Sequence, residues 1–61
     1  MPSQLALKTY SEARALYESP DEAETATRNA LVLVGRMPEP QASQEAADAR
    51  RIVEREEAEG N

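Results

Sequence analysis

The chain has 61 residues, a net charge of −5, 39 % hydrophobic residues and only two aromatic ones, with no cysteine and no histidine. That length holds one small domain and no cleft enclosed by two. The two missing residue types exclude a disulfide scaffold, a zinc finger, a thiol nucleophile and an imidazole base.

The first segment, residues 3–17, places Ala6, Tyr10, Ala13 and Tyr17 on one stripe at steps of 4, 3 and 4. Leu5 and Leu16 flank the stripe on one side and Leu7 on the other, so the spacing predicts an amphipathic helix with a broad apolar face. Lys8 and Glu12 stand at i,i+4 and suit a weak ion pair.

A second helix is announced by Ser19-Pro20-Asp21-Glu22. Ser19 suits the N-cap, Pro20 the first helical position and Glu22 the third-position partner of a capping box. Asp21, Glu22 and Glu24 then sit near the positive end of the helix dipole. Ala23, Ala26, Ala30, Leu33 and Met37 step by 3, 4, 3 and 4, a heptad-like seam whose alanines call for a closely approaching neighbour. Glu24 and Arg28 have the favourable order for an i,i+4 pair. Gly35, Pro38 and Pro40 stop this helix and turn the chain.

The third segment, about residues 40–58, repeats the pattern with Ala42, Ala46, Ala49 and Val53, and Ile52 beside them. Arg50 and Arg51 can pair with Glu54, and Arg55 with Glu59, along the helix. Past Val53 the stripe meets Glu56, and Glu54, Glu56, Glu57 and Glu59 crowd the negative end of the dipole. Fraying is expected over about residues 56–61.

These readings predict a single all-α mini-domain over residues 1–61, a small bundle of two or three helices. It contains an antiparallel helical hairpin at about 20–35 and 40–58. The apolar inventory is thin against the entropy of ordering the chain, so self-association is expected to complete the bundle. Tyr10, Tyr17, Ala26, Ala30, Leu33, Ala46, Ala49 and Val53 are the residues suited to that contact.

Charge narrows the function. Residues 1–38 hold five acids and four bases, whereas residues 39–61 hold seven acids and three bases. Direct binding to nucleic acid needs clustered Lys and Arg and is disfavoured, as is docking on an anionic membrane. No apolar run approaches the ~20 residues that span a bilayer. Lys8 interrupts the short apolar stretch of the N-terminus, which does not read as a signal peptide. The expected setting is cytoplasmic. Carboxylates are abundant, but seams of alanine and valine offer them no water-poor pocket in which to separate their pKa values. No enzyme, cofactor or metal site is expected.

What remains is protein–protein contact. The sequence reads as a small acidic regulator, adaptor or inhibitor of a protein partner, with Asp48, Glu54, Glu56 and Glu57 facing a basic surface of that partner. The alternative is a structural subunit whose role is to assemble into a helical oligomer.

Overall fold

Ser3 opens the first helix of the computed structural model, which describes residues 2–60. Its hydroxyl accepts a hydrogen bond from the Ala6 N–H at 3.2 Å, matching one of the donors that a helix N-terminus leaves unpaired. This helix, α1 (Gln4–Leu16), ends where Tyr17 turns extended and donates its N–H to the Ala13 carbonyl.

The second helix, α2 (Pro20–Leu33), starts where the sequence places it. The Ser19 hydroxyl accepts from the Asp21 N–H at 3.2 Å, Pro20 is the first helical residue, and Asp21 and Glu22 occupy the first turn. The exit differs in detail from the expected glycine stop. Gly35 donates its N–H to Ala30, and Met37 donates to Leu31 at 3.1 Å. The left-handed residue of the turn is Arg36, at φ 55°, and not Gly35. Gly35 is required for space instead. A Cβ there would lie 2.8 Å from the Leu31 carbonyl oxygen and 3.2 Å from Leu5 Cδ2.

The third helix, α3 (Glu39–Glu59), begins after Pro38 and carries Pro40 in its first turn, where a missing N–H breaks no helical bond. It extends one residue beyond the expected span at each end, and its helical geometry continues through the acidic residues where fraying is expected. Asn61, also assigned to the frayed end, lies outside the described residues.

Polar bridges fix the directions of the helices. The Ser3 N–H donates to Glu45 at 3.0 Å and the Tyr10 hydroxyl to Glu54 at 2.8 Å, so α1 runs parallel to α3. Arg28 meets Glu39, and Arg50 meets Asp21 and Glu24, so α2 runs antiparallel to α3 as expected. The result is an up-down-up bundle of three helices, without a strand among the described residues.

The interior is built from small residues: Ala6 and Ala13 of α1, Ala23 of α2, and Ala42, Ala46 and Ala49 of α3, around the larger Tyr10, Thr27 and Leu31. Alanines at the contact positions let helix axes approach toward the short end of the usual 8–10 Å range. Leu7, Ala26, Val32, Met37 and Val53 pack at the edge of this core.

The α3 seam is the one read from the sequence, with Val53 half-buried at its end. The α2 seam is rotated. Ala23, Thr27 and Leu31 point inward, Ala26 and Ala30 flank them, and Leu33 is 78 % exposed. Thr27 can occupy the core because its hydroxyl donates back to the Ala23 carbonyl at 2.7 Å, leaving its methyl for packing. On α1, Ala6, Tyr10 and Ala13 are buried as expected, whereas Tyr17 is exposed.

Candidate functional site

The acidic residues expected to face a partner are separated by the fold. Glu54 is held within the chain: one carboxylate oxygen accepts from the buried Tyr10 hydroxyl at 2.8 Å and from Arg14 Nε at 2.7 Å. The same guanidinium donates to the carbonyls of Tyr17 and Glu18 at 2.9 and 2.7 Å. Arg14 therefore closes the end of α1, where unpaired carbonyls accumulate, and ties the α1–α2 turn to α3.

This geometry sets the protonation states. The bond from Tyr10 is the first cause holding the Glu54 carboxyl below its ordinary value, with Arg14 adding to it. Burial, then the bond to Glu54 and its negative charge, push the Tyr10 phenol well above its ordinary value. The bond to Glu54 raises Arg14 further. The cluster is a neutral phenol and a closed ion pair, without a nucleophile or a group poised to exchange protons near neutrality.

Asp48 is also engaged, accepting from Gln44 at 3.1 Å and pairing with Arg51 one turn later. It lines a different groove, with Pro2, Arg51, Ile52 and Arg55. Two of the intrahelical pairs read from the sequence, Arg50 with Glu54 and Glu24 with Arg28, are replaced by bridges between helices, and Arg51 exchanges Glu54 for another partner on its own helix. Arg50 reaches Asp21 and Glu24 at 2.7 and 2.9 Å instead of Glu54. Arg51 takes Asp48 instead of Glu54, and Arg28 takes Glu39 instead of Glu24. The reason is packing: the alanine seams bring α2 and α3 close enough for an arginine to cross between them.

Glu56 and Glu57 are exposed, like every residue from Arg55 to Gly60. They stand at the bundle end that carries the α1–α2 turn. The carboxylate of Glu57 acts on the Arg14 guanidinium, which also holds Tyr17 and Glu18. At that turn Leu16 is 80 % exposed. Tyr17 lines an open groove with Asp21, Glu22, Thr25, Ala26 and Asn29. An exposed leucine and tyrosine thus sit beside Glu18, Asp21 and Glu22, at the bundle end that also carries Glu56 and Glu57.

The residues expected to self-associate divide into three groups. Tyr10, Ala46 and Ala49 lie inside the chain's own core, with no surface to offer a second copy. Ala26, Ala30 and Val53 are half-buried. Tyr17 and Leu33 are exposed, at opposite ends of α2. Sequence reasoning missed Leu16 and Val34 as surface residues, because both carry the apolar signal of a core position.

Every buried side-chain polar atom among the described residues has a partner. No group of acidic side chains among them is arranged to hold a metal ion, and no helix is long and apolar enough to cross a membrane. Comparison with protein-family models, with curated proteins and with solved structures finds no match.

Proposed function

We propose that this protein is a small non-enzymatic regulator, adaptor or inhibitor that acts by contact with a protein partner. The contact surface is the acidic end of the bundle, and the partner presents a basic surface with an apolar anchor. One observation carries the reading: the groove of Tyr17, beside the exposed Leu16, is rimmed by Asp21 and Glu22, at the bundle end that also carries Glu18, Glu56 and Glu57. Tyrosine is enriched at interface hot spots, and an exposed apolar group within a polar rim is the ordinary anatomy of a contact surface. Glu54 serves this surface indirectly by holding Arg14 and the turn in place. The proposed setting of this encounter is the cytoplasm.

The test is capture from an extract of the producing cells at rising salt, with the wild-type chain and a Tyr17→Ser/Glu22→Gln variant as baits. Both substituted residues are exposed, so the fold is retained. The reading expects a partner held at low salt, released as salt rises, and lost with the variant. Equal capture by both baits, or none at low salt, overturns it.

A further inference from the structure

The opposite end of the bundle carries its own apolar surface. Leu33 and Val34 are 78 % and 76 % exposed, two and three residues after the fully buried Leu31. Leu5, also exposed, ends beside Gly35. The rim of this surface has both signs of charge. Arg36 is exposed in the left-handed turn, and Glu39 is exposed with Arg28 at 3.4 Å.

We infer that this end, formed by Leu5, Leu33, Val34, Arg36 and Glu39, is the seat of a second copy of the chain, docked end to end about a two-fold axis. The charge distribution selects the occupant. Two copies meeting through their other ends would appose Glu18, Glu22, Glu56 and Glu57 with their own duplicates, and like charges at an interface oppose association. The Leu33 end is where a chain of net charge −5 can meet itself with Glu18, Glu22, Glu56 and Glu57 of the two copies at opposite poles and with Arg36 beside Glu39 at the contact.

A two-fold contact is self-complementary. It covers Leu5, Leu33 and Val34 of both copies at once and sets Arg36 against Glu39 of the second copy. A head-to-tail contact would also pair opposite charges, but it leaves one end of each kind uncovered and grows without closing. This inference goes beyond the proposed partner contact and stands independently of it. The two together describe a bivalent particle with an acidic contact surface at each pole.

Sedimentation equilibrium over a wide concentration range tests the contact. The wild type is expected to pass from 6.7 kDa to twice that mass and stop there. Leu33→Lys, a cation at a helix C-terminus and favoured there by the dipole, is expected to weaken association at least about tenfold with helicity unchanged. Leu16→Lys, at the other end, should leave the doubling intact. Amide shifts of the wild type on dilution give a second readout without any variant, and should concentrate at Leu5 and residues 33–39. A monomer at every concentration, growth beyond two copies, equal loss with Leu16→Lys, or shifts centred on residues 16–22 would each overturn the inference.

Discussion

A phenol buried among alanines must still satisfy its hydroxyl, and this requirement explains the least expected placement in the molecule. Tyr10 is fully buried, and its nearest acceptor is a carboxylate on another helix. Glu54 is thereby drawn from the acidic surface into the structure. Tyr10→Phe removes a hydrogen bond to a charged group, and about 1.5 kcal/mol of stability should go with it. That is the low end for such bonds, because Glu54 keeps Arg14. Glu54→Ala should cost more than Glu54→Gln, since alanine leaves the hydroxyl unpaired in the interior while glutamine retains an acceptor oxygen. Urea denaturation of the three variants checks the order. A Tyr10→Phe curve that overlays the wild type would mean that the phenol does not depend on Glu54. None of this was legible in the sequence, where Tyr10 and Glu54 are 44 positions apart and Glu54 reads as one more acid in a charged run.

At the scale of elements, the starts and stops were readable because they rest on local chemistry. The Ser3 and Ser19 hydroxyls cap their helices, and the prolines fall where a helix tolerates them. The face of α3 was readable because its alanines alternate with charges and leave one apolar stripe. The face of α2 was not, since Leu31 and Leu33 are equally apolar and threonine is counted as polar. Thr27 is accommodated on the buried face by returning its hydroxyl to the Ala23 carbonyl, a bond open to a helical threonine on any face, so its presence in the sequence does not mark the inward side. The turn after α2 misleads in the same way, because glycine reads as the left-handed residue while Arg36 holds that conformation. Two substitutions should therefore act in opposite senses. Arg36→Gly relieves a left-handed conformation costing about 1–2 kcal/mol for a residue with a Cβ, offset by about 0.5–1 kcal/mol of glycine entropy, so stability should rise slightly. Gly35→Ala presses a Cβ to 2.8 Å from the Leu31 carbonyl and should cost about 1–3 kcal/mol, as overpacking does. Thermal melts of dilute samples that shift in the same direction would show that one of the two roles is wrongly assigned.

Across the whole molecule, compactness does not require a second chain. The radius of gyration is 10.5 Å, and a folded chain of this length is expected at about 10.5 Å. The interior that achieves this is mostly alanine, so the bridges between helices matter more than in a leucine-rich core. Each of those described above ends on a carboxylate: Glu45 and Glu54 for α1, and Asp21, Glu24 and Glu39 for the pairing of α2 with α3. Stability should therefore depend on pH with two limbs. The bonds from Gln41 and Ser3 hold the Glu45 carboxyl below its ordinary 4.5, and Tyr10 does the same for Glu54. A carboxyl depressed in the folded state is protonated first in the unfolded one, so its contribution is present above about pH 4.5 and lost as pH falls below it. Relief of acidic repulsion works the other way between neutrality and the isoelectric point near 4.5, which should keep stability level or slightly rising until the bridges begin to fail. The phenol of Tyr10, raised above its ordinary 10.0, gives the alkaline limb. The unfolded chain loses that proton first, so stability should fall as pH rises past about 10. Tyr10→Phe should flatten the alkaline limb and leave an acid limb through Glu45. Because Glu45 and Glu54 both hold α1, amide exchange near pH 3 should accelerate earlier in residues 4–16 than in residues 42–53. A stability profile flat from pH 7 to pH 3, or uniform exchange across the three helices, would show that the alanine core holds α1 without its carboxylates.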